Sequence, residues 1–127
     1  MTSFSAVLDA NVLYSAYLRD LFLEMADFGF FEVRWSIEIL SELERALNRN
    51  FPERSSAHAE KSSEMNAAFP RALIEGHENL EMDLSQTDPK DRHVLSAAIG
   101  EKSGALVTFN LKDFPKDAFD RFGLEIL

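Results

Sequence analysis

The apolar residues of this chain fall into short runs that stop abruptly at polar ones, and the stretches between them carry helical spacing. "SAVLDANVLYS", Ser5 to Ser15, sets the pattern. Ser5–Leu8 reads as a short buried strand, and it runs straight into Asp9 and Asn11. A run of four is too short for a buried helix and suits a strand covered on both faces. From Leu18 the apolar positions Leu21, Phe22, Met25 and Phe28 recur at helical spacing, with Gly29 placed to stop the helix. Glu32–Trp35 is predicted as a second strand. Ser36 is a good N-cap for a helix to about Arg49, with Ile39, Leu40, Leu43, Ala46 and Leu47 on one stripe.

The Ser- and Ala-rich stretch that follows is predicted to be a loop and then a helix ending near Phe69. Ala72–Glu75 is predicted as a short strand. "SQTDPKD" opens a further helix to about Lys102, Gly104 breaks it, and Ala105–Phe109 follows as a strand. Leu124–Leu127 is a candidate last strand. Strands alternating with helices imply an α/β fold with a central, mostly parallel sheet flanked by helices, because parallel neighbours need crossovers. With 127 residues there is room for one domain with a substantial core, residues 1–127.

Composition narrows the function. Hydrophobic residues make up 46%, including 11 Phe, which supports a packed core rather than disorder. No apolar run approaches a membrane span, and the first residues lack the basic-then-apolar pattern of a signal peptide. Cysteine is absent, which excludes a disulfide framework, a thiolate nucleophile and zinc–sulfur ligation. A soluble cytoplasmic protein without a membrane partner is the expectation. Asp plus Glu number 22 against 13 Lys plus Arg, net −9, which opposes passive nucleic-acid binding. The same balance suits carboxylates gathered around a cation, whose charge reverses the local sign.

In parallel sheets, sites form beyond the carboxyl ends of the strands. Asp9 follows the first strand, and Asn110 follows Ala105–Phe109 in the same way. On the helix after Ser36, Glu42 and Glu44 flank the apolar stripe on opposite sides, and periodicity does not choose between them. "DPKD" places Asp88 as N-cap, Pro89 at N1 and Asp91 at N3, and Asp113 follows Asn110 by three residues. Singly, each has a plainer reading. Asp9 is a turn or cap residue, Glu42 and Glu44 solvated faces, Asp91 a helix-dipole partner and Asp113 a loop acid. His93 reads as a surface or packing histidine, and His58 and His77 as solvent residues.

Together the motifs say more. "VLDANVL", "SELERAL", "DPKDRHVLSAAI" and "LVTFNLKDFP", in that order from Ala6 to Pro115, resemble a PIN domain, and in particular the bacterial nucleases of the VapC-like toxin type. The resemblance implies that Asp9, Glu42, Asp91 and Asp113 bind a divalent metal, Mg²⁺ or Mn²⁺, and are catalytic. It thereby favours Glu42 over Glu44. It further implies supporting roles for Asn11, Thr108 and Asn110. Arg19, Arg34, Lys90, Arg92 and Lys112 lie in or near the motifs and are the candidate contacts to an RNA substrate. The implied activity is metal-dependent hydrolysis of RNA by the toxin of a toxin–antitoxin pair, with an antitoxin partner and a homodimer expected. Similar proteins often continue past the last strand expected here, which leaves room for a missing C-terminal element.

Hard oxygen ligands are what Mg²⁺ prefers, and few carboxylates suffice because the ion keeps several waters. Two other readings compete. A non-catalytic PIN-like module binding a protein or RNA would tend to lose its acids, and here they are present. A phosphoaspartyl phosphatase using Asp9 as nucleophile wants a second Asp two residues on, where Asn11 stands. Asn110 and Asp113 divide their work by chemistry, since a neutral amide is a poor ligand for a hard cation but a good orienter of water. Asp113→Asn is expected to weaken metal affinity and cleavage together, with partial rescue by extra Mg²⁺. Asn110→Ala should slow cleavage with little change in metal affinity, and Asn110→Asp should be tolerated. Cleavage measured across a Mg²⁺ titration distinguishes these outcomes, and a silent Asp113→Asn beside a dead Asn110→Asp refutes the assignment.

Overall fold

Asp9 and Thr108 stand side by side because two strands lie parallel, in register, and end together. The computed structural model describes residues 4–74, 93, 94, 97, 105–109 and 125–126. Its elements are β1 (Ser5–Leu8), α1 (Ala10–Tyr14), α2 (Ala16–Asp27), β2 (Glu32–Ser36), α3 (Ile37–Asn50), a 3₁₀ turn at Pro52–Arg54, α4 (Ser55–Ala68), β3 (Leu73–Ile74), β4 (Ala105–Val107) and β5 (Glu125–Ile126). The five strands form one sheet in the order β3-β2-β1-β4-β5, and every neighbouring pair is parallel. Leu8 pairs with Val107, so the next residue of each strand, Asp9 and Thr108, leaves the sheet at the same edge.

The α/β expectation is met, and so is the β1 span. β2 extends one residue further than expected, to Ser36. Ser36 then caps α3: its buried hydroxyl accepts a hydrogen bond from the Ile39 N–H at 3.1 Å. Ile39, Leu40, Leu43 and Leu47 are the buried stripe of α3. Helix α2 ends where Gly29 allows it. Gly29 has φ of 86°, a left-handed value that only glycine adopts freely, and the Gly29 and Phe30 N–H groups bond back to the Ala26 and Met25 carbonyls. Trp35 is fully buried on β2, donates its indole N–H to Asn66 Oδ1 at 2.8 Å and meets Phe69 edge-on. Helix α3 packs on β2, α1 and α4, which makes it the centre of the helical layer.

Three differences have local causes. A short helix, α1, starts at Ala10 where the sequence predicts only a polar turn, because the Asp9 carboxylate caps it through the Ala10 N–H. Strand β4 stops at Val107, since the Thr108 hydroxyl and the Phe109 N–H bond to Asp9 and Asn11 side chains. His58, expected in solvent, is buried on α4 seven residues from buried Met65 and bonds to Asn48 Oδ1 at 2.7 Å. The helix expected from Asp88 to Lys102 lies largely outside the described residues; His93, Val94 and Ala97 within it are helical, and Val94 and Ala97 are buried.

Ser36→Ala removes the acceptor for a buried N–H at the head of the central helix. The expected loss is about 1 kcal/mol of stability, read as a lower urea midpoint at unchanged slope.

Candidate active site

The order β3-β2-β1-β4-β5 reverses direction between β1 and β4, and such switch points open a crevice beyond the carboxyl ends of the strands. Asp9 occupies it. Its backbone N–H extends the ladder to the Val107 carbonyl at 3.0 Å, which locks the residue to β4 as well as to β1. Asp9 Oδ1 accepts from the Ala10 N–H at 2.7 Å, and Oδ2 accepts from the Thr108 hydroxyl at 2.8 Å. The Thr108 hydroxyl in turn accepts from Asn11 Nδ2 at 3.3 Å, and Asn11 Oδ1 accepts from the Phe109 N–H at 3.2 Å. Both ends of the Asn11 amide are therefore used, and the chain Phe109–Asn11–Thr108–Asp9 sets the orientation of the carboxylate.

Asp9 is 4% exposed. Burial pushes its pKa above the ordinary carboxylate value; the bonds from Thr108 and Ala10 offset this in part, and the charge of Glu42 adds to the rise. Glu42 comes from α3, half-buried, and its carboxylate is hydrogen-bonded to His93 Nε2. Burial by itself would lower the pKa of His93, but the bond to Glu42 and the fields of Glu42, Glu38 and Asp9 outweigh it and raise it overall. His93 is thus part of this cluster: of the two sequence readings, surface or packing, it is the packing one that holds. A signal was available: His93 lies four residues before Ala97, on the inward face of its helix.

Of the residues singled out in the sequence, Asp9, Asn11, Thr108 and Glu42 come together here. Asp91, Arg92, Asn110, Lys112 and Asp113 lie outside the described residues. Among the described residues no three His, Asp or Glu side chains form a metal-binding group. Arg19 is buried and donates to the Leu13 carbonyl at 2.9 Å. Arg34 lies on the far side of β2: it donates to the Arg71 carbonyl at 2.8 Å, pairs with Glu32 at 3.7 Å, and lines a cavity with Phe31 and Pro70 rather than with Asp9. A cavity of about 410 Å³ does adjoin the site, lined by Asn11, Tyr14, Glu42, Arg45, Arg49 and Asn50. The two arginines were missed, although they follow Glu42 by three and seven residues on one helix face.

The family model described as PIN domain matches residues 5–112. The chain belongs to the PIN domain family. A curated relative, "Putative ribonuclease VapC50" of Mycobacterium tuberculosis, is 50% identical over 38 residues. That match spans 30% of this PIN domain chain and 22% of the relative's length. Among solved structures, VapBC2 from Rickettsia felis, crystallised with a DNA fragment from its promoter, superposes with a TM-score of 0.63 at 17% identity over 98% of both chains. That likeness is one of fold. The PIN chain has no helix among its described residues long and apolar enough to cross a membrane.

Because the Asp9 pKa is raised from 3.8, its ionisation costs folding free energy as pH climbs through the folded-state value, and the cost is absent below about 3.8. Asp9→Asn, without added metal, should therefore melt higher than the natural chain at neutral pH, with the difference shrinking as pH falls toward 4. A Tm series against pH checks this, and an Asp9→Asn chain that is less stable at pH 7 than at pH 4 relative to the natural one contradicts it.

Proposed function

We propose that this chain is a divalent-metal-dependent endoribonuclease, the toxin of a toxin–antitoxin pair, and that Asp9 and Glu42 with Asp91 and Asp113 form its metal site. The observation that carries the reading is the buried Asp9 carboxylate, held at the sheet's switch point with Glu42 beside it. Membership of the PIN domain family and the matched segment of a relative named as a ribonuclease support it.

The donor set fits a hard cation. Among the described residues each Asp9 oxygen holds one hydrogen bond, which leaves lone pairs for a cation. Its raised pKa reflects burial and the repulsion of Glu42, and a bound cation relieves both. Hydrolysis adds water to an anionic phosphorus and expels an alkoxide; when bound, Mg²⁺ or Mn²⁺ supplies charge neutralisation and acidifies water. The protein's own part is to hold the oxygens rigidly. Thr108 and the Ala10 N–H fix the Asp9 carboxylate, Asn11 fixes Thr108, and His93 restrains Glu42. A restrained carboxylate pair loses little entropy on taking up the ion. Asn110 is assigned the task of orienting water, and Arg92 and Lys112 that of holding RNA phosphates.

An antitoxin and a second copy of the chain are the expected partners, in a cytoplasmic setting. Tyr17, Phe28 and Phe30, each more than 70% exposed, offer apolar surface for them.

Glu42→Gln should lose nearly all cleavage of single-stranded RNA in Mg²⁺ or Mn²⁺, whereas Glu44→Gln, on the other flank of the stripe, should lose little. Equal losses, or loss at Glu44 alone, would displace Glu42 from the site. RNA held but left uncut by the natural chain would favour the binding-module reading instead.

A further inference from the structure

We propose that a groove leading from Glu42 along α3 to the start of α4 is a track for the phosphodiester backbone of single-stranded RNA. Arg45 and Arg49 carry the strand away from the carboxylates, and a pocket around Arg19 receives one of its phosphates. The proposal rests on the ribonuclease reading for the identity of the polyanion.

Arg19 is the first observation. It is only 6% exposed, and among the described residues its guanidinium has one hydrogen bond, to the neutral Leu13 carbonyl. Among the described residues it makes no ion pair. A buried guanidinium with five donors ordinarily faces an anion, since burying an uncompensated charge is costly. Arg19 opens onto a cavity of about 470 Å³ whose wall also carries Arg54, His58, Lys61, Tyr14 and Phe51. Arg54 and Lys61 have no ion-pair partner among the described residues either, and the adjacent Glu53 and Glu60 do not line the cavity. Three cations with no carboxylate beside them among the described lining residues, set in a largely apolar wall, form an anion site. Planar, weakly hydrated guanidinium suits a phosphate there.

Continuity with the active site is the second observation. Tyr14 lines both this cavity and the one that contains Glu42, Arg45 and Arg49, and its hydroxyl accepts from Asn50 Nδ2 at 2.7 Å. Glu42 and Arg49 are seven residues apart on α3, about 10 Å along the axis, a distance that a strand of RNA covers in a few nucleotides. Arg45 and Arg49 are exposed and make no ion pair among the described residues. Five of the 13 Lys and Arg of a chain with net charge −9 therefore line two neighbouring cavities that share Tyr14, the first of them beginning at Glu42. Tyr14 and Phe51 interleave aromatic faces with the cations, the combination by which proteins hold single strands without reading sequence. An acidic protein segment would find the cations but have no bases to stack, so RNA is the better occupant.

The test is binding of a fluorescein-labelled 12-nucleotide RNA in EDTA, by anisotropy across a salt series, so that cleavage plays no part. Arg45→Ala/Arg49→Ala and Arg54→Ala/Lys61→Ala should each weaken binding about tenfold and flatten the salt slope by about 1.4, two phosphate contacts' worth. Arg71→Ala, remote from both cavities, should change neither. Arg19→Gln should weaken binding as well; if it unfolds the protein, the two surface pairs still decide. Unchanged affinity and slope in both pairs overturns the track, as does equal damage from Arg71→Ala. Failure to bind RNA together with tight binding of poly-glutamate overturns it too and gives the groove to an acidic protein. The two readings part cleanly. A chain that binds RNA along the track yet never cuts it in Mg²⁺ or Mn²⁺ loses the nuclease reading alone, and one that cuts RNA with unaltered KM in both pairs loses the track alone.

Discussion

The hydrogen bond from Thr108 to Asp9 joins residues 99 apart in sequence, and the rest of the site depends on it. It forms because β1 and β4 are parallel, adjacent and end in register, so their next residues meet. The same carboxylate caps α1, so one side chain ties a strand, a helix and a second strand together. A carboxylate this buried is held against its own preference for water, and two hydrogen bonds offset only part of the cost. The remainder shows as a pKa raised above the ordinary carboxylate value at the sheet's switch point.

Charge is partitioned elsewhere by the same logic. Acids dominate the chain, yet among the described residues the arginines and lysine around Tyr14 make no ion pair, even with Glu42, which lines the same cavity as Arg45 and Arg49. Attraction between carboxylates and cations would normally pair them across a surface. Here Glu42 is bonded to His93 at one end of the cavity that Arg45 and Arg49 also line, because residues three and seven apart share a helix face but lie at different heights. One helix thereby carries the charge from acidic Glu42 to basic Arg49 within about two turns.

Much of this was legible in the sequence where the deciding interactions are local. Four apolar residues ending at Asp9 marked β1; a serine before an apolar stripe marked the head of α3; a glycine marked the end of α2. The short α1 was missed because its cap depends on a carboxylate that sequence assigns equally well to a turn. The difference between Glu42 and Glu44 was beyond periodicity, since both flank the stripe, and what separates them in space is His93, which approaches from a distant helix. His58 looked like a solvent residue, and His93 like a surface or packing one, for a related reason. Their burial comes from neighbours 51 and 10 residues away, and the Ser- and Ala-rich pattern of α4 hides its inward face.

By itself, the sequence determined the element types, the parallel α/β architecture and the pool of polar groups at strand ends, because propensity, period and capping act over a few residues. Tertiary structure alone decided which of those groups share a site. Strand order places Thr108 beside Asp9, helix packing brings His93 to Glu42, and the packing of α1 on α2 and α3 and of α3 on α4 gathers Arg19, Arg54 and Lys61 around one cavity. Those juxtapositions come from the burial of a common core by elements far apart in the chain, and no local pattern encodes the distance between them.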